Sequence, residues 1–295
     1  MLLVACFLCL CKHRFAFGFC LSIFDVMAQN CLLEISPEPY RELVTGILES
    51  SWSLSVLTVV PLLGFIVSIS WRQAFYLLAI LTFLLCIFVF FVLKRIPARP
   101  QISLESQEGL KCGFRWYSGA LAFNLSGFFF ALAHNTVLSE FSILIAEYYN
   151  LSVEDAGFTQ FVLGIAELIG AMLVMVTGHL PDIFLLSSLG FCVGILLYGM
   201  LGGMYLEGAL FGLFCVYVPG ENGIILRLSR ASTYVAPADA NSMLAVHSQF
   251  LFLGRALGAI LAVPLYKLGH YECVFITFLL SLLALFFILV RGTFF

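Results

Sequence analysis

Long apolar runs, parted by short stretches that are charged or carry proline or glycine, organise this chain from end to end. Cutting it at those breaks predicts nine apolar spans, at about 15–35, 43–69, 74–93, 117–145, 156–177, 183–204, 206–226, 242–265 and 274–290, with a stub at 2–11. A bilayer core of roughly 30 Å is crossed by about 20 apolar residues in a helix, because in lipid every backbone N–H and C=O must be bonded within the segment. The nine spans meet that length and the stub does not. The stub lacks the basic start and small-residue cleavage site of a removable signal. Residues 77–92 show no polar alternation, which excludes the strands of a closed barrel. The pattern predicts an all-α integral membrane protein of nine full transmembrane helices plus a short N-terminal stub.

Composition removes the soluble alternative. Hydrophobic residues make up 62% of the chain and charged residues 11%, and the mean hydropathy is +1.07, whereas a soluble domain is about a quarter charged. The few charges also suggest an orientation. With the connection after the third span in the cytosol, Lys94, Arg95, Arg99, Lys111 and Arg115 lie inside, and alternation adds Arg41, Arg227, Arg230 and Arg291. Mainly Lys12, Arg14, Arg72 and Lys267 are left for the other face, a bias in the sense of the positive-inside rule. The outer face then carries Glu147, Glu154, Asp155 and Asn150-Leu-Ser152, whose Asn150 is a candidate glycosylation acceptor. The plasma membrane is the default location, with an organelle membrane as the alternative.

The longest polar connection, 96–115, carries Pro97, Pro100, Gln101, Ser103, Glu105, Gln107 and Glu108 and reads as a cytoplasmic linker between residues 1–95 and 116–295. The two sides echo each other in order: Pro37 with Pro237, Trp71 with Tyr271, Phe75 with Phe275. Internal repeats of this kind build a binding site between two rocking halves in many transporters.

Three groups of residues carry a family resemblance. Pro39-Tyr-Arg41-Glu-Leu-Val-Thr-Gly46, Glu49-Ser-Ser-Trp52, Pro61-Leu-Leu-Gly64 and Trp71-Arg72-Gln-Ala-Phe75 form the first, and Gly164-Ile-Ala-Glu167-Leu-Ile-Gly170 with Gly178-x-Leu180-x-Asp182 the second. Ala236-Pro237, Leu253-Gly-Arg-Ala-Leu-Gly258 and Leu265-Tyr266 form the third. In this order they resemble the fourth to sixth helices, the eighth helix with its cytoplasmic loop, and the eleventh helix of the major facilitator superfamily, in wording closest to its generic bacterial-type efflux permeases. The resemblance implies a twelve-helix plan in two six-helix halves. By its register the chain starts near the end of the third helix, so that 1–95 is a remnant of the N-terminal half, a stub plus three helices, and 116–295 is the C-terminal half. In the loop motif Gly178, Leu180 and Asp182 match, but Phe184, Leu185 and Leu186 stand where the family has basic residues that latch the cytoplasmic side.

Polar residues inside apolar spans are the candidate transport residues, because an ionised group at mid-membrane costs about 2.5–3.5 kcal/mol on insertion scales and usually faces a partner or an aqueous cavity. Arg14, Gly18, Ser22, Asp25 and Gln29 fall on one helical stripe, and Arg14-x-x-x-Gly18 resembles the fourth-helix Arg motif of proton-coupled members. Glu49 lies beside Arg41 and Trp52, and reads as a structural contact or a coupling group. Asn124 and Asn135, eleven apart, share a face, with His134 adjoining, and serve either as ligand contacts or as helix glue. Glu167 sits between Gly164 and Gly170, which predicts close helix packing around a carboxylate. Glu221 and Asn222 follow Pro219-Gly220, a pair expected to interrupt a helix beside a cavity. Arg255, between Gly254 and Gly258, is a candidate partner for one of the acids.

Enzyme chemistry finds no support. There is no phosphate-cradling glycine loop, no Gly-x-Ser-x-Gly elbow and no basic aromatic surface for nucleic acid. Cys6-x-x-Cys9-x-Cys11-x-His13 lacks the second spaced pair of a zinc site, so neither a metal nor another cofactor is expected. Two functions fit. One is a secondary transporter of small molecules, proton-coupled and effluxing by alternating access, with the bilayer, a small substrate and protons as its partners. The other is a truncated, non-transporting protein of the same fold that acts at most as a scaffold or binding partner.

Overall fold

The computed structural model describes residues 24, 27–29, 32, 36–37, 40–94, 119–180, 182–231 and 240–291. Within them run eight helices: α1 Arg41–Ile69, α2 Trp71–Leu93, α3 Ala120–Glu147, α4 Val153–Thr177, α5 Ile183–Gly202, α6 Leu206–Arg230, α7 Ala240–Leu268 and α8 His270–Arg291. All eight are long and apolar enough to cross a membrane, and no strand occurs among the described residues. The chain is thus an all-α, multi-pass membrane protein. The stub at 2–11, most of the span at 15–35 and the linker at 96–115 lie outside the described residues.

Local chemistry fixes the helix ends. The Ser152 hydroxyl accepts the Asp155 N–H at 3.1 Å and so caps α4, filling one of the donors left open at a helix start. Asn150, exposed in the turn before it, has a φ of 51°, a left-handed geometry that asparagine tolerates well. Gly269 joins α7 to α8 at φ 142°, and a Cβ there would run into the Glu272 carboxylate.

The helices pack through small residues, as expected where lipid is as apolar as leucine and association rests on close backbone contact. The main contacts are α1 with α4, α3 with α7, and α5 with α6, followed by α3 with α8 and α4 with α6. On α7, Gly254 and Gly258 lie against the α3 backbone: a Cβ on Gly258 would be 2.5 Å from the Leu132 carbonyl. Asn135 Nδ2 donates to the Arg255 carbonyl at 2.8 Å along the same seam. On α4, a Cβ on Gly164 would stand 2.7 Å from the Leu57 N of α1. The interior of the α3–α8 group is filled by Phe123, Phe130, Phe191, Leu213 and Ile224, all buried. By contrast α2 shows Phe75, Phe83, Phe88 and Phe91 on its surface, as a lipid-facing helix does.

Two expectations change on contact with the structure. Pro219-Gly220 does not interrupt the chain: α6 runs unbroken through Pro219, with Glu221 and Asn222 buried on its inner side. Arg227, expected in a cytosolic connection, lies in the last turns of α6 and is fully buried. The span ending at 226 therefore extends to Arg230, and the orientation bias loses one of its charges.

Candidate functional site

Most of the predicted intramembrane residues meet in one layer near the middle of the bundle. Glu167 on α4, Glu221 on α6 and Arg255 on α7 are within electrostatic reach of one another, and Arg255 also reaches His134 on α3. Glu49 on α1 is within reach of Glu167 and accepts a hydrogen bond from Gln29 Nε2 at 3.1 Å. Glycine contacts make this convergence sterically feasible. A Cβ on Gly170 would stand 2.9 Å from the Glu221 Cβ, and one on Gly220 would stand 2.9 Å from the His134 ring. Tyr217, fully buried on α6, joins the layer with its ring 4.6 Å from that of His134. Neither the Tyr217 hydroxyl nor His134 Nε2 has a hydrogen-bond partner among the described residues. Sequence reading passed over Tyr217, although a phenol two residues before a membrane proline was a usable signal.

The layer opens on a cleft between α1 on one side and α6 and α7 on the other. It is narrow and is lined by Gln29, Glu49, Trp52, Ser248, Phe252 and Arg255 among others. A closed apolar seam lies next to it and shares Gln29 and Leu228. Neighbouring Asn222 accepts from Ser187 Oγ at 2.5 Å, which ties α6 to α5 behind the acids.

Toward the end of the bundle that carries Gly178 lies a second layer. The Arg227 guanidinium is centred 3.9 Å from the Phe130 ring and 4.7 Å from the Phe184 ring, donates to the Gly223 carbonyl at 2.9 Å, and reaches the Ser126 and Ser188 hydroxyls at 3.3 and 3.4 Å. It has no ion pair. Two π faces and three oxygens hold the charge in place of a carboxylate. Beside it Asn124 Oδ1 lies 2.9 Å from His247 Nδ1, and His247 stacks on Phe123 at 4.5 Å. Replacing a buried ion pair by apolar groups of similar volume is often neutral or stabilising by about 1–4 kcal/mol, and removing Arg227 strands no counter-charge among the described residues. Arg227→Met is therefore expected to melt no lower than the parent in detergent, while Arg227→Ala, which leaves a void, melts lower. A large loss with Met would show that the charge itself is required for folding.

At the same end, Arg230 Nη2 donates to the Gly178 carbonyl at 2.5 Å and to that of Leu180 at 3.3 Å. A Cβ on Gly178 would meet Glu42 of α1 at 2.9 Å, so the loop motif is gripped by α6 and abuts α1. Asp182 stands at the start of α5, its side chain making no capping bond.

The third layer, near the Asn150 end, was missed in the sequence. Glu140 on α3 is buried, accepts from the Tyr198 hydroxyl of α5 and lies 2.7 Å from His270 Nδ1 of α8. A lone carboxylate in an apolar run was the signal for it. Just outside, Tyr149 donates to the Gly202 carbonyl at 2.7 Å. Burial, with Tyr148, Glu207 and Glu140 adding to it, pushes this phenol up to about 12, so the donor stays protonated through the neutral range.

Arg14 and Asp25 lie outside the described residues. Of the others, Gln29, Glu49 and Arg255 line the cleft, with His134, Glu167 and Glu221 within electrostatic reach of Arg255, while Asn124 and Asn135 both face α7 and bind it to α3. No cluster that could hold a metal occurs among the described residues.

A search of curated proteins finds no match to the chain. The sequence model of the Major Facilitator Superfamily matches residues 2–220, a stretch that takes in the α1–α4 seam, Glu49 and Glu167 of the central layer and the loop motif, and that stops one residue before Glu221. With that match over most of its length, and with eight apolar helices around a polar centre, the chain belongs to the major facilitator superfamily of membrane transporters.

Proposed function

We propose that the chain is a proton-coupled efflux transporter of small molecules working by alternating access, with residues 1–95 and 116–295 as its two moving parts and 96–115 as the cytoplasmic link. The observation that carries this reading is the central layer, where Glu167, Glu221 and Arg255 lie within electrostatic reach of one another beside a cleft bounded by α1 from the first part and by α6 and α7 from the second. Intramembrane acids cluster where ions or protons pass, and a binding site between two repeats is the arrangement that rocking exposes to each side in turn. Glu221 takes the proton in this scheme. Arg255 restrains the charge of the acids when they are ionised, Glu49 contributes from α1, and Gln29, which precedes α1, donates to Glu49.

The test is proton movement in proteoliposomes loaded with a pH-sensitive dye and challenged with small organic anions and cations. Compound-dependent proton flux is expected from the parent chain, and a loss of about tenfold or more from Glu221→Gln, which keeps the shape but cannot exchange a proton. Flux no greater than in empty liposomes for every compound would remove the transport reading. It would leave a non-transporting scaffold or binding partner of the same fold.

A further inference from the structure

We infer that His270, together with Glu140, is a proton-binding site near the Asn150 end of the bundle, apart from the central layer, and that the proton it takes up completes the tie between α3, α5 and α8. Its occupancy is measured whether or not the chain transports.

Three observations point to a proton at this ring. Glu140 is a carboxylate 1% exposed, and the base that pairs with it among the described residues is His270, with Nδ1 at 2.7 Å. The Tyr198 hydroxyl donates to the same carboxylate but brings no charge to offset it. An imidazole changes its charge between about pH 5 and 8, and the protonated ring both cancels the carboxylate and turns the Nδ1 contact into a charge-assisted hydrogen bond. The second ring nitrogen, Nε2, is enclosed and has no partner among the described residues. The His270 side chain as a whole is 10% exposed, at the first residue of α8, so a proton reaches it from the adjoining aqueous face without crossing the bundle. Finally, the Nε2 edge lies against the end of α5, where a Cβ on Gly202 would stand 3.3 Å from it. Gly202 is the last residue of α5, and the carbonyls left open at a helix end form the negative pole of its dipole, a place that favours a histidine cation.

The elements packed around the ring bring negative or neutral groups. Glu140 and Glu147 come from α3 and Tyr266 from α7, within electrostatic reach of one another. Tyr149, Tyr148 and Glu207, at the start of α6, form the next set. Tyr198 of α5 and Tyr271 of α8 set their rings edge-on to the imidazole, 5.5 and 5.4 Å away, and α8 adds Cys273 and the exposed Glu272. Lys267, the nearest cation along the chain, is exposed in the last turn of α7. In the binding step the neutral ring keeps its Nδ1–H on Glu140, a hydronium ion gives its proton to Nε2 and leaves as water, and the pair passes from one negative charge to none. The folded tie binds this proton more tightly than the unfolded chain does, so its contribution to stability is complete at acid pH and is lost as pH rises through the titration of His270.

The experiment follows this ring in the purified full chain by deuterium uptake at the imidazole C2–H, read by mass spectrometry on the peptide that carries His270 across pH 5–9. A reversible titration with its midpoint between about pH 5 and 8 is expected, and in Glu140→Gln the midpoint should move to lower pH. The unfolding temperature supplies a second readout. Between pH 6 and pH 8 the parent should lose about 2–4 °C more than His270→Asn, which keeps a neutral donor for Glu140 but does not titrate. The parent titration needs no variant, so the inference stays testable where Glu140→Gln does not fold. A ring that does not titrate in this range, a midpoint unmoved in Glu140→Gln, or an equal pH dependence of melting in His270→Asn would overturn it.

Discussion

Replacing Glu140 by alanine is expected to destabilise the purified chain by about 2–6 kcal/mol, since it leaves two buried polar groups unmade at about 1–3 kcal/mol each. Glu140 is 1% exposed and joins three helices, α3 through its own backbone, α5 through Tyr198 and α8 through His270. Its loss strands a phenol and an imidazole that have little access to water. Among the described residues His270 Nε2 already lacks a partner, so the ring would keep none there. A fall of roughly 5–10 °C in the unfolding temperature in detergent is expected, given about 2–4 °C per kcal/mol for chains somewhat shorter than this one. Glu140→Gln, which retains an acceptor, should fall less, and Tyr198→Phe should lose about 1 kcal/mol for its single bond. If Glu140→Ala melted with the parent, the three-helix tie would be an incidental contact.

A comparable loss is expected from Gly194→Leu, for a different reason. Pro219 has no N–H, so the carbonyl of Cys215, one turn earlier on α6, goes without its ordinary intrahelical donor. The open face of Gly194 on α5 presses against that carbonyl, and any Cβ there would collide with it and with the Val216 N at 2.8 Å. Gly212 returns the contact from α6, where a Cβ would stand 2.5 Å from the Tyr198 Cα. A clash with backbone cannot be relieved by a rotamer change, and overpacking costs about 1–3 kcal/mol or more. Gly194→Leu is expected to elute as aggregate on size exclusion, whereas Gly190→Ala, whose Cβ would meet only the Pro219 ring at 3.2 Å, should elute as a single species. A monodisperse Gly194→Leu would show that α5 and α6 part without harm.

The helices themselves were legible because a run of some 20 apolar residues has only one way to satisfy its backbone in lipid. Their ends were less so. The last span reads from 274, yet α8 begins at His270, because His270 finds Glu140 and continues the helix in place of a polar connection. Arg227 looked like a boundary since a cation usually is one. Only the tertiary placement of Phe130 and Phe184 makes it a core residue. The central layer was legible residue by residue, through acids and an arginine that had no other reason to be in apolar spans. Their convergence was not, since it depends on which faces α4, α6 and α7 turn inward, and the glycines that decide this act through contacts absent from a linear pattern. His247 escaped for the same reason.

The caged arginine also constrains how the protein is made. As α6 leaves the ribosome it carries Arg227, Glu221 and Asn222 together, and a charged side chain exposed to lipid costs about 2.5–3.5 kcal/mol on insertion scales. The groups that relieve Arg227 are Ser126 and Phe130 on α3 and Phe184 and Ser188 on α5, all of which are synthesised earlier. Chain order thus lets α3 and α5 stand ready as a receptacle at the membrane-insertion machinery, and α6 enters the bilayer as the third member of a preassembled group.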